Sequence, residues 1–216
     1  MKKQNIVDAV IDWFEGDQAG DRKGKYHPEI VKVHLSDAFN QTVLNAWQNG
    51  KKFSDFRQLD SWSKTYEIEM ETQVGLVANA LLPFAPMQLP DGAGIRQVAD
   101  HDDTSNVFAP IEATANVVFA ELDVDAMDST PTYRLEQNSL STGAGEESHM
   151  LKIERLPVTV GEIASIDVML IVPIEEMDDY DDIVIPGMAD DILVRQVIDL
   201  MSKKQAPDIA NDKVIQ

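Results

Sequence analysis

Apolar residues recur along this chain with two different periods, and the change of period divides it. Ile6, Val10, Trp13 and Phe14 fall at helical spacing, opened by Asn5 and Asp8 and closed by Gly16. The spacing predicts a short amphipathic helix followed by a polar linker, "DQAGDRKGK". Pro28 is placed as the first residue of a second helix, because its missing N–H would have no helical partner there anyway. Val31, Leu35, Ala38, Phe39, Thr42, Val43, Ala46 and Trp47 form its broad apolar stripe, with an end expected at Asn49-Gly50.

From residue 64 the period becomes two. In "KTYEIEMET" Tyr66, Ile68, Met70 and Thr72 alternate with Thr65, Glu67, Glu69 and Glu71, which predicts a strand with one buried face and one wet, acidic face. Further strands are expected at 116–122, 132–137, 149–156 and 166–172, separated by Pro-, Gly- and Asp-rich connections. The last run is apolar at consecutive positions, so it is expected to be a central strand buried on both faces and ended by Pro173.

After the acidic loop "EEMDDYDD" a closing helix is expected, with Ile192, Leu193, Val197, Leu200 and Met201 on one stripe. Asp190 and Asp191 in its first turn and Lys203 and Lys204 in its last suit the helix dipole. Beyond it "QAPDIANDKVIQ" has few apolar residues and carries Pro207, so it reads as an arm that needs a neighbour to order it. The expected architecture is α+β: an N-terminal helical pair over 1–60, a mostly antiparallel β-sandwich-like body over 61–187, and a C-terminal amphipathic helix with an interaction tail over 188–216. The stripe residues Ile192, Leu193, Val197, Leu200 and Met201, together with Pro207, Ile209, Asn211 and Asp212 of the tail, are the candidate interface.

Composition sharpens this picture at two points. The chain has 216 residues and no cysteine, so disulfides and thiolate zinc sites are excluded. The formal net charge is −20; residues 1–60 hold nine basic and nine acidic residues, so the surplus acid lies wholly in the remainder. Such a surface repels a nucleic-acid backbone instead of binding it, because it has few lysines to displace counterions. A passage through which DNA slides without adhering stays compatible with it. The lysines at the start resemble the opening of a signal peptide, but Asp8 and Asp12 interrupt the apolar segment such a peptide needs. The apolar run Val168 to Ile174 is far shorter than the roughly 20 residues that cross a bilayer. A soluble protein made in a cytoplasm is expected.

Candidate chemistry is sparse. The four histidines, at 27, 34, 101 and 149, match no close metal-ligand spacing. His101-Asp102-Asp103 is the one cluster that suggests a metal-assisted hydrolase, against the alternative that its acids cap turns. The stretch from Asp123 begins like a calcium loop but has Met127 at position five, Asp128 where glycine is required and Arg134 where glutamate is required. In "LPDGAGIRQV" Gly92 and Gly94 lack both the third glycine and the Lys-Ser/Thr of phosphate loops, so a turn is expected. Neither a G-x-S-x-G elbow nor a cysteine nucleophile is present. Trp13, Trp47 and Trp62 read as core or interface anchors.

Taken in order, "HPEIVKVHLSDAFNQTVLNAW", "LLPFAPMQLPDGAGIRQV", "IVIPGMADDILVRQVIDLM" and "PDIANDKVIQ" resemble segments of the ring, or head-tail connector, proteins of crAss-like tailed bacteriophages. The likeness is clearest from Ile183 onward, where a proline, an amphipathic helix and an Asp-x-x-Asn-Asp tail follow one another. The resemblance implies a non-enzymatic virion structural protein without cofactors, a subunit of a neck ring of twelve copies. Its partners would be further copies of itself, the portal protein and other neck or tail proteins, with DNA passing through the ring and no membrane involved. Manufacture in the host bacterial cytoplasm and residence in the virion follow from it. A tail-hub or capsid-auxiliary role is the alternative that composition alone does not separate.

Overall fold

The computed structural model describes residues 2–16, 27–74, 77–111, 130–138, 148–156, 164–187 and 189–204. The chain forms two compact units, Met1–Trp62 with Pro173–Gln216, and Ser63–Val172. The architecture is α+β, with helices at the N-terminus, a β body and a C-terminal helix. The closing helix belongs to the same unit as the first two, so a division strictly by chain order does not describe the packing.

In the helical unit, α1 (Lys3–Gly16) buries Ile6, Val7 and Val10, and α2 (Pro28–Phe53) buries Val31, Leu35, Phe39 and Val43. His27 caps α2 by accepting the Glu29 N–H on its Nδ1, and Pro28 follows at the first helical position. The helix continues past Asn49-Gly50, where an end was expected, because Gly50 serves packing instead of termination. A Cβ there would lie 2.6 Å from the Phe56 ring, which folds back over it. Ser54, in the left-handed conformation at φ 52°, ends the helix with its N–H on the Gly50 carbonyl. A short helix, α3 (Arg57–Asp60), follows, and Trp62 packs edge-on against Phe39 with ring centroids 5.4 Å apart. The final helix, α4 (Ala189–Lys204), packs on α2 and α1 through Leu193, Val197 and Met201, which are buried.

The acidic loop before α4 has a structural role within this unit. Lys3, itself buried, donates its Nζ to the Met177 carbonyl at 2.8 Å, and Gln4 N–H donates to the Asp179 carbonyl. Lys2 forms a bridge with Asp182. The opening lysines are thus anchors for "EEMDDYDD", a pairing across 174 residues that no local pattern reveals.

In the β unit seven strands, β1 (Lys64–Val74), β2 (Val77–Leu81), β3 (Ile95–Asp100), β4 (Ala109–Pro110), β5 (Thr132–Asn138), β6 (Ser148–Glu154) and β7 (Ser165–Leu170), run in the order β3-β7-β1-β2-β6-β5-β4. All neighbours are antiparallel except β4 and β5. The long β1 pairs with β7 over Lys64–Glu69 and with β2 from Met70 onward, and a register shift between Met70 and Thr72 bends it from one half of the sheet into the other. The chain at 106–111, which contains β4, then meets β3 as well as β5. Phe108 N–H donates to the Val98 carbonyl of β3 at 2.8 Å, while Ile111 N–H donates to the Tyr133 carbonyl of β5 at 2.9 Å. The sandwich-like body is therefore one mixed sheet curled into a near-barrel. Ile68, Val98, Leu151, Ile153, Ile166 and Val168 fill its inside.

The strands expected at 132–137, 149–156 and 166–172 are present as β5, β6 and β7, and the acidic outer face of β1 is as expected, with Glu67 and Glu69 exposed. The expected strand at 116–122 lies outside the described residues. One expectation is corrected. Strand β7 is central, between β3 and β1, but only Ile166, Val168 and Leu170 are fully buried, while Asp167 and Met169 are half-exposed. A curled sheet has one inner face, so a central strand need not be covered twice.

Candidate functional site

Placement of the candidate interface residues separates them sharply. Leu193, Val197 and Met201 are turned into the helical unit, where each contributes about 1.5–3 kcal/mol by leaving water. Ile192 stays half in solvent and Leu200 is half-buried. Pro207, Ile209, Asn211 and Asp212 lie outside the described residues. Of the tryptophans, Trp62 is core, Trp47 is half-buried and Trp13 is exposed.

The surface of the helical unit carries more apolar material than the sequence reading found. Ile30, Val33 and Phe53 on α2, Trp13 on α1, Ile192 on α4 and Tyr180 in the acidic loop are each between 50 and 75% exposed. Ile30 and Val33 are three residues apart, so they share a helix face, and that face continues through Asp37, Gln41 and Leu44. The signal was available in the sequence as two apolar residues off the main stripe of α2.

Between α2 and α4 runs a groove of about 610 Å³. Asp37, Asn40, Gln41 and Leu44 line it from α2, and Gln196 and Leu200 from α4, each set at the three- and four-residue spacing of one helix face. Its floor is tied by the Thr42 hydroxyl, which lies 2.8 Å from both the Ala38 carbonyl and the Gln196 side-chain oxygen. The Asn40 amide nitrogen reaches the Ser36 hydroxyl and Glu175 only at 3.5 and 3.4 Å, and its buried Oδ1 has no hydrogen-bond partner. Ser36 in turn donates to Glu175.

In the β unit, the tempting histidine cluster resolves into two parts. Asp103 accepts from the backbone N–H and the hydroxyl of Ser105, and Asp100 accepts from the Asp102 N–H at 3.0 Å, so these acids cap the turn after β3. His101 points instead to the outer face of the sheet, where its Nδ1 lies 2.9 Å from Asp167 and its Nε2 3.6 Å from Glu67. Glu67 and Asp167 stand directly opposite each other on β1 and β7. Two carboxylates in that relation repel, and a protonated imidazole between them relieves the repulsion. The hydrogen bond to Asp167 accordingly raises the His101 pKa above its ordinary 6.5, against a smaller lowering by burial and with help from Glu67 and Asp102. Among the described residues no group of three His, Asp or Glu side chains is placed to hold a metal ion.

A second cleft, of about 600 Å³, opens at one end of the near-barrel over Met87, Leu89, Ile95, Ile111, Tyr133 and Leu135. The Pro90–Gly92 turn beside it has Asp91 at φ 60° and Gly92 at φ 68°, which makes the glycine-bearing stretch the expected turn. Gly94 has a different purpose. A Cβ there would lie 2.0 Å from the Met87 carbonyl oxygen, so only glycine allows the two backbone segments to approach. Burial pushes the Tyr133 phenol up to about 12, which keeps it neutral. Arg134, on the neighbouring position of β5, is held by Glu136 at 2.6 Å and Glu154 at 3.6 Å.

Among the described residues no helix is long and apolar enough to cross a membrane. No protein-family model and no curated protein matches this chain.

Proposed function

We propose that the chain is a structural, non-enzymatic subunit of a ring that joins portal to tail in a tailed phage particle and surrounds the path of DNA. The observation that carries this reading is the apolar surface of the helical unit, where six large side chains from α1, α2, α4 and the acidic loop are at least half in water. Ile30 and Val33, neighbours on one face of α2, are the part of it that forms a patch, and exposed apolar patches mark contacts between proteins. A ring of identical subunits needs two complementary faces on each, and helices spread over three elements can supply more than one. The acid of the β unit fits the same role. Between Ser63 and Val172 there are five Lys or Arg against 18 Asp or Glu, so DNA passing such a wall gains no counterion release and does not adhere. The resemblance of the segments quoted above to crAss-like phage connector proteins is what favours the neck as the position of the ring.

Sedimentation of the purified chain across a concentration series, together with negative-stain images, tests the ring, and antibody labelling of particles tests its place. Closed rings and label between head and tail are expected. A chain that stays monomeric at every concentration, or label confined to the capsid or tail tip, would overturn the proposal.

A further inference from the structure

The second half of α2 differs in charge from the rest of the chain. From Ala38 to Ser54 there is no Asp or Glu, while Lys51 and Lys52 are present, in a protein of net charge −20. Phe53 ends the helix and is 69% exposed, with the Lys52 Nζ 5.3 Å from its ring centroid. We propose that the cleft at the end of the near-barrel receives this turn, Lys51-Lys52-Phe53, from a second copy of the chain. The proposal rests on the oligomeric reading above and names the two faces that meet.

The cleft suits an aromatic side chain. At about 600 Å³ it has room for a phenyl ring and part of the turn behind it, and Met87, Leu89, Ile95, Ile111 and Leu135 give it apolar walls. Its shape is built beforehand. Met87 N–H donates to the Ile171 carbonyl at 2.8 Å, Ile171 N–H donates to the Gly94 carbonyl at 2.9 Å, and Gly94 lets its backbone lie against Met87. A wall held in this way needs little ordering when a ring enters, which lowers the cost of binding. The last carbonyls of a helix have no helical N–H to accept, and the neutral Tyr133 phenol on the cleft wall is a donor for one of them.

Charge selects Phe53 from the other exposed apolar residues of the helical unit. Tyr180 is more exposed, but Asp178, Asp179, Asp181 and Asp182 flank it and would meet Asp91 at the cleft with like charge. Asp12 and Glu15 stand beside Trp13, and Asp190 and Asp191 outnumber Arg195 around Ile192. Lys32, next to Ile30 and Val33, is already taken by Asp179 and Glu29. Among the described residues no ion pair holds Lys52, so it is available to Asp91. The other charged side chain lining the cleft, Arg134, is held by Glu136 and Glu154. The two faces are different and lie on different units, so the contact runs head to tail, the kind that builds a ring when its rotation closes.

Because the chain has no cysteine, single cysteines report the contact cleanly. One preparation carries Asn49→Cys, exposed one turn before Phe53, and the other Gln88→Cys, exposed at the cleft. Mixed and oxidised, they should yield covalent heterodimer at least about tenfold above a control pair in which Glu69→Cys, on the outer face of β1, replaces Gln88→Cys. Adding Phe53→Ser to the first preparation should bring the yield to the control level, and adding Lys52→Glu should lower it about threefold. Both side chains are exposed, so the melting temperature should hold and folding is not the cause. A yield at the control level, a yield unmoved by Phe53→Ser, or a double-cysteine chain that bridges only within itself overturns the proposal. Rings of the natural chain without the cross-link would leave the oligomeric reading standing and remove this contact, whereas monomers throughout would remove both.

Discussion

In the helical unit acids pair with lysine and arginine; in the β unit Glu136 and Glu154 do the same on Arg134, while other acids face one another across strands. Asp179 takes Lys32 at 2.7 Å and Lys3 at 3.9 Å, and its pKa is lowered chiefly by the hydrogen bond from Lys32, whose own pKa rises for the same reason. Asp55 grips Arg57 through both carboxylate oxygens and also accepts its backbone N–H, so its pKa falls to about 2. On the β unit Glu67 and Asp167 are instead cross-strand neighbours with only His101 between them. The same residue type therefore does two jobs. Asp179 in the helical unit ties distant chain segments together, whereas Glu67 and Asp167 on the β unit are surface charge that the fold tolerates and that an acidic passage would use.

The largest effect that tests this division is in the helical core. Leu193→Ala should cost about 2–5 kcal/mol, read as a lowered denaturation midpoint, because the side chain is fully buried and its loss leaves a cavity. A cost under about 1 kcal/mol would mean that α4 is not packed as described. Next is a pair of glycines, one in each unit. Gly94→Ala drives a methyl into the Met87 backbone and should destabilise the β unit by about 1–3 kcal/mol. Gly50→Ala meets chiefly a phenylalanine ring that can shift, with the Asp55 carbonyl oxygen at 3.1 Å, and gains up to about 1 kcal/mol of helix propensity, so it should cost less than Gly94→Ala. If the two substitutions cost the same, the close backbone approach at Gly94 is wrong.

A smaller effect separates the units by pH. The folded pKa of His101 is raised above 6.5, so its contribution is complete below 6.5 and is lost as pH rises through the raised folded value. The melting temperature of the natural chain should exceed that of His101→Gln most at about pH 5.5 and least at about pH 9. A gap that widens with rising pH would show that His101 is not paired with Asp167 and Glu67. The paired acids of the helical unit act in the opposite sense. With its pKa lowered, Asp179 stabilises above 3.8 and loses that contribution as pH falls through its folded value. The smallest effect on folding is Ile192→Ala, about 0.5 kcal/mol or less by thermal melting, since the side chain is half in water. Its consequence should appear in assembly, as a weaker oligomer by sedimentation.

The helices were legible because their information is local. Ile6 and Val10, or Leu193 and Val197, are brought to one face by four residues of chain, and Pro28 announces its helix by itself. Strands β5, β6 and β7 were legible for the same reason, as alternating or apolar runs of ordinary length. Strand β2 was missed because "VANAL" carries small residues with little alternation, and β3 because its start merges with the turn at Gly92–Gly94. The candidate interface was half legible. Periodicity found the α4 stripe, but it could not say that Leu193, Val197 and Met201 would be used inside the unit while Ile30 and Val33 of α2 stayed outside.

The sequence by itself determined the types of the strongly periodic elements, the acidic outer face of β1 and the concentration of charge beyond residue 60, since these depend on spacing and composition alone. Tertiary structure alone decided that α4 returns to α1 and α2, that Lys3 anchors the loop at Met177, and that 106–111 joins β3 to β5. It also decided that α2 and α4 leave a groove between them. Each of these joins residues far apart along the backbone. Their stability comes from burial and hydrogen bonds made only after the chain has folded, so no window of neighbouring residues encodes them.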